Sequence, residues 1–82
     1  MRLDKFLKVS RIIKRRTTAN GACSEQHVLV NGNVKKPGYD LKIGDIIEIQ
    51  FGNRTFRCKV KEMPEHIGKN EASSLYEVLS EE

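Results

Sequence analysis

The first apolar positions of the chain, Leu3, Phe6 and Leu7, fall at i, i+3 and i+4, the spacing of one buried stripe on a helix. At about 100° per residue, Arg2, Lys5 and Lys8 share the opposite side, which makes that side basic rather than mixed. A second helix is expected from Arg15 or Thr17 to Ser24, with Ala19, Ala22 and Cys23 as a face of small side chains that permits close approach to a neighbour. After residue 27 the period changes from helical to alternating. Val28-Leu29-Val30 runs into Asn31-Gly32, a two-residue hairpin signal in which both central positions need φ > 0. Pro37-Gly38, expected as type II, and Gly44-Asp45 mark further turns. The run DIIEIQF puts Ile47, Ile49 and Phe51 on one face; Gly52-Asn53 then turns the chain into TFRCKV, where Phe56, Cys58 and Val60 share a face. Residues 62–74 read as a loop and LYEVL at 75–79 as a last strand.

At 82 residues the chain makes one small domain with a thin core. Charge changes the picture more than size does. Residues 1–16 carry seven Lys/Arg against Asp4 alone, residues 17–61 carry seven against four acids, and residues 62–82 carry one against six Glu. A basic head with an acidic tail points to a polyanion meeting the N-terminal part. The longest aliphatic run, Val28-Leu29-Val30, is far short of a signal or spanning segment, so a cytoplasmic location with reduced thiols at Cys23 and Cys58 is expected. No heptad or broad apolar stripe suggests self-association, and a monomer is expected.

The run RIIKRRTT at 11–18 holds Arg11, Lys14, Arg15 and Arg16 just where the second helix should start. Cations at a helix N-terminus oppose its macrodipole, whereas a phosphate there would meet free backbone N–H groups and guanidinium groups together. The competing reading is a solvated face, with the arginines in water or paired to a glutamate. No paired carboxylates, Ser/His/Asp set or phosphate-cradling glycine loop is present, so neither catalysis nor a cofactor is expected. Cys23 with His27 and Cys58 with His66 match no common zinc spacing, and both thiols fall on predicted core faces, so no metal is expected either. The phenylalanines are claimed by the core pattern, so a nucleic-acid partner would be recognised by shape and backbone rather than by stacking on splayed bases.

These elements, with MRLDKFL at 1–7, Arg16-x-x-Ala19, HVLVNG at 27–32, KPGY at 36–39 and GDIIEI at 44–49, resemble the RNA-binding domain named after small-subunit ribosomal protein four. The resemblance covers about residues 1–52, with 53–82 supplying additional strands and the acidic tail of a single 1–82 domain. It implies an α+β fold, two N-terminal helices packed on a small curved, mainly antiparallel sheet. A short chain of this kind is similar to the family's stand-alone bacterial members of ribosome-associated quality control. Those bind rRNA of the obstructed large ribosomal subunit beside peptidyl-tRNA and help RqcH extend the stalled chain with a C-terminal tail. The alternatives are a related ribosome-associated heat-shock RNA-binding factor, or a protein-interaction adaptor whose basic head docks on an acidic protein.

Carried over by position, the resemblance implies RNA contact by Arg2, Lys5, Arg11, Lys14, Arg15, Arg16 and Thr17, with Lys8 widening the field. Arg2 and Arg16 are the expected grips on phosphate, because a planar guanidinium meets two oxygens at once. Asp4 would repel phosphate, so its expected role is to orient Arg2 or Lys8, or to serve a helix N-terminus. Thr17 is expected as a cap or extra donor, and Lys35 and Lys36 as a second-tier patch. The chain departs from the family pattern at Gln26, where glycine often closes the second helix, at His27, often arginine, and at Arg15, often Ser or Thr.

Overall fold

The computed structural model describes residues 1–63 and 74–81. Most of the expected 62–74 loop, His66 included, lies outside the described residues. Helix α1 spans Leu3–Val9 and helix α2 spans Arg16–Ser24; the strands are β1 (Val28–Val30), β2 (Asn33–Val34), β3 (Ile46–Phe51), β4 (Arg54–Val60) and β5 (Tyr76–Glu81). The strands form one open antiparallel sheet in the order β2-β1-β3-β4-β5.

Leu3, Phe6 and Leu7 of α1 are fully buried, as their spacing requires, with Ala19 and Cys23 of α2 beside them. The sheet meets the helices with alternate residues: Val28 lies opposite Ile49, Val30 opposite Ile47, and Ile47 opposite Cys58, and all are buried. Ile13, Leu41, Val60 and Leu75 complete the core among the described residues. Both thiols are packing groups. Burial, with a smaller push from Asp4, raises the Cys23 thiol to about 11, and burial raises Cys58 to about 12.

Turn chemistry fixes the register. Asn31 and Gly32 both adopt positive φ, 54° and 86°, the geometry that a tight two-residue hairpin needs. The Asn31 side chain also ties this hairpin to β3, accepting from the Ile46 N–H at 3.0 Å and donating to Asp45 at 3.1 Å. Gly52, at φ 58°, opens the β3–β4 turn, and a bulge between Arg57 and Cys58 kinks the β4–β5 pair.

Three local expectations need correction. The Pro37-Gly38 turn closes by a hydrogen bond from the Tyr39 N–H to the Lys36 carbonyl, but Gly38 has no positive φ, so the turn is not type II. Phe51 is not a core residue: it is 47% exposed, because β3 runs on past the cover of the short helices. The last strand begins at Tyr76 rather than residue 75 and continues to Glu81, with Leu75 buried just before it.

Gln26 takes the left-handed role that glycine often fills. Its φ is 66°, its N–H donates to the Cys23 carbonyl, and the His27 N–H reaches back to the Ala22 carbonyl, so α2 ends in a Schellman-type closure without glycine. Arg11 takes the same left-handed conformation after α1, with φ 64° and its N–H on the Lys8 carbonyl, but there the Leu7 carbonyl accepts from the Ile13 N–H, one residue later than in α2.

Candidate nucleic-acid interface

The site is organised by the strap at residues 36–41, which lies across the start of α1. The Leu3 N–H donates to the Tyr39 carbonyl at 2.8 Å and the Asp4 N–H to the Pro37 carbonyl at 3.1 Å. The Met1 amino group pairs with Asp40 at 2.9 Å. Those bonds leave Arg2 extended at the N-cap, outside the helix proper, so it departs from the face shared by Lys5 and Lys8 and lays its guanidinium 3.7 Å from where a side chain on Gly38 would start.

Asp4 is the hub. It is 2% exposed, and Oδ1 accepts from Arg2 Nε at 3.1 Å and from the Lys5 N–H at 2.8 Å. Oδ2 accepts from Asn20 Nδ2 at 3.3 Å and stands 3.5 Å from Arg16 Nε. Burial by itself pushes the Asp4 carboxyl up; the Arg2 and Asn20 hydrogen bonds and the Arg16 and Arg2 charges outweigh it and hold the group below its ordinary range. One buried carboxylate thus gathers two guanidinium groups that are each about half exposed, 53% and 49%. The cluster keeps a net positive charge, and each arginine has more N–H donors than Asp4 can use.

This arrangement offsets part of the dipole conflict expected at Arg16, since the Asp4 carboxylate stands 3.5 Å from its guanidinium group. It also separates the two helix starts. The first turn of α2 contains no acid, its N-cap Arg15 is extended with φ −119°, and no side chain among the described residues caps it. Thr17, expected as a possible cap, is exposed and makes no side-chain hydrogen bond among the described residues. The free N–H groups of α2 therefore lie beside Arg15 and Arg16, an arrangement that suits an anion.

Lys5, Lys8, Arg11 and Lys14 are exposed, and none has an ion pair among the described residues; Asp4 does not reach Lys8. Lys36 is exposed, while Lys35 rests over the Tyr39 ring at 4.9 Å. Between the strap and α2 runs a groove of about 650 Å³ that Arg2, Asn20, Lys35, Lys36 and Tyr39 line. Asn20 and Tyr39 are the residues that sequence reasoning missed. Asn20 stands one turn after Arg16 and so on the same helical face, the one signal that pointed to it. His27 is exposed and 3.6 Å from Glu25. Among the described residues no group of three His, Cys, Asp or Glu side chains could hold a metal ion, and no helix is long and apolar enough to cross a membrane.

A helix pair on an open five-stranded antiparallel sheet, with guanidinium groups gathered where the helices meet, makes a small α+β module with a cationic face suited to a polyanion. The S4 domain profile matches residues 1–47, and the chain belongs to the S4 domain family of RNA-binding proteins. It is 51% identical over 82 residues to the RQC P-site tRNA stabilizing factor of Halalkalibacterium halodurans, covering 100% of this chain and 93% of that one. It is 49% identical to the protein of the same name in Streptococcus pneumoniae, covering 99% and 92%. Its fold is similar to a trimeric structure of Vibrio cholerae heat shock protein 15, with a TM-score of 0.87 at 28% identity over 98% of this chain and 82% of that one.

Proposed function

We propose that the Arg2–Asp4–Arg16 cluster and the uncapped start of α2 grip the backbone of large-subunit rRNA and of peptidyl-tRNA, and that the protein thereby steadies the tRNA while RqcH extends a stalled chain. The observation that carries the reading is the sharing of one buried carboxylate by two half-exposed guanidinium groups, which sets their spacing before any phosphate arrives. Lys5, Lys8, Arg11, Lys14 and Arg15 add long-range attraction around it, with Thr17 as a free hydroxyl donor and Lys35 and Lys36 along the strap groove. Full-length identity of 51% to an RQC P-site tRNA stabilizing factor favours this role over that of the heat-shock neighbour, which is 28% identical.

The test is co-sedimentation with large ribosomal subunits that carry peptidyl-tRNA, with and without RqcH. The wild-type chain should travel with the subunit and be released by RNase, and Arg16→Ala should lose most of that association. An adaptor acting through protein contacts would stay bound after RNase treatment, and that result would remove the RNA reading.

A further inference from the structure

The far end of the molecule holds a second groove, of about 290 Å³, between the α1–α2 connection and the outer end of the β3–β4 hairpin. Phe51 lies directly opposite Arg54 across the Gly52-Asn53 turn, and Phe56 is two residues further along β4, so all three point to the helix side of the sheet. Tyr76 packs edge-on against Phe56 with ring centroids 6.3 Å apart, and Ile12 closes the groove from the helical side. Phe51 is 47% exposed at this site. Arg11 and Arg54 flank the aromatic floor; both are exposed, and neither has an ion pair among the described residues.

We propose that this groove takes one unpaired nucleotide of the bound RNA, its base against Phe51 and its phosphate held by Arg11 and Arg54. The inference rests on the RNA-binding reading above and extends it to a nucleotide that is splayed out. Three features favour that occupant. The volume is at the lower limit of the roughly 300–1,000 Å³ of small-ligand clefts, room for one planar ring system rather than an extended peptide. An apolar floor between cations that have no ion pair among the described residues matches a nucleotide, with a stacking face and a negative charge, better than it matches an aliphatic side chain. Arg11 begins the basic run that continues through Lys14, Arg15 and Arg16, so the groove is contiguous in the chain with the phosphate-gripping surface. Glu81 lines the same groove beside Phe56, which directs the phosphate to the arginine side and leaves a carboxylate to accept from a base amino group.

The experiment uses the full chain and two RNA stem-loops, one with a single bulged 2-aminopurine and one with the same base paired. The wild type should prefer the bulged RNA by roughly tenfold, the worth of one base–aromatic stack, and should quench its fluorescence. Phe51→Ala should lose both the preference and the quenching while holding the paired stem within about twofold of the wild type. Phe51→Leu, which keeps apolar cover over the hairpin end, should lose the quenching too, and Arg2→Ala should weaken both RNAs alike. Equal binding of the two stems by the wild type, with unchanged fluorescence, would overturn the nucleotide site, leave the RNA reading standing and give the groove to a protein side chain. Failure to bind either stem would overturn both.

Discussion

Both helices close through a left-handed residue that is not glycine, Arg11 after α1 and Gln26 after α2, yet their N-termini meet very different surroundings. The N–H groups at the start of α1 are used up by strap carbonyls and the Asp4 carboxylate. The start of α2 has no side-chain cap and no acid in its first turn. Only the second leaves donors for a ligand. Asp4 links the two ends: it belongs to α1, but its outer oxygen faces Arg16 and Asn20 of α2. One helix start is thus spent on holding the fold, and it presents the carboxylate that positions Arg16 and Asn20 at the other.

The largest predicted effect comes from breaking that link. Asp4→Ala leaves the Lys5 N–H and two guanidinium groups without their acceptor, a loss of about 1–3 kcal/mol. Thermal unfolding should fall by roughly 4–8 °C per kcal/mol for a domain of this size. RNA affinity should fall with it, although a negative charge has been removed, because the arginines are no longer held together. Tighter RNA binding by Asp4→Ala would show that the carboxylate merely repels phosphate. The same contact sets an acid limit. Because the folded carboxyl titrates below its unfolded value of about 3.9, its contribution is complete above that pH and is lost as pH falls through the lower folded value. Unfolding temperatures measured from pH 6 to pH 2.5 should therefore converge for wild type and Asp4→Asn at the acid end and diverge above about pH 4.

Arg16→Ala tests the other partner and should separate binding from stability. A half-exposed ion pair contributes at most about 1 kcal/mol to folding, and Arg2 continues to satisfy Asp4. A charge-assisted contact to phosphate is worth about 1.5–3 kcal/mol, so RNA affinity should fall roughly 10- to 100-fold. Arg16→Lys should recover part of the affinity but not the two-oxygen geometry. A collapse of the unfolding temperature in Arg16→Ala would move this arginine from the ligand to the fold.

Lys14 gives a smaller effect of a different kind, since it is exposed and makes no ion pair among the described residues. With about four phosphates neutralised, log K should fall against log salt with a slope near −3, and Lys14→Ala should flatten it by about 0.7–0.9. Thr17→Ala should leave the slope unchanged, because a hydroxyl displaces no counterion. A flat response from the wild-type chain would contradict phosphate contact altogether.

What the sequence made legible follows the range of each interaction. The Leu3, Phe6 and Leu7 stripe and the Asn31-Gly32 turn are local, and both stand as their spacing and φ requirements imply. Alternation placed Phe51 on the helix side of the sheet correctly, but it carries no information on where the cover ends. Helix α1 has seven residues and β3 six. That is about 10 Å of helix against about 20 Å of strand, so the strand end is left bare. The pairing of Arg2 with Asp4 spans two residues and was readable, whereas the approach of Arg16 and Asn20 depends on how the helices pack. Gln26 misled because the αL position favours glycine, while the backbone bonds that close α2 form with either residue.

That last point supplies the smallest test, at the ends where the helices agree. A left-handed backbone costs a side-chain-bearing residue about 1–2 kcal/mol, and glycine removes that strain while giving back part of the gain through its freer unfolded state. Gln26→Gly and Arg11→Gly should therefore each stabilise the fold by about 0.5–1 kcal/mol, read as a rise of a few degrees in the unfolding temperature. The two substitutions must then part company in binding. Gln26→Gly leaves every basic residue in place and should keep the wild-type affinity and salt slope. Arg11→Gly removes a cation from the start of the basic run and one flank of the Phe51 groove, so it should bind RNA more weakly and with a shallower slope. Equal affinity in the two variants would mean that Arg11 stands in its strained conformation for the sake of the chain reversal alone, and that the basic surface begins at Lys14.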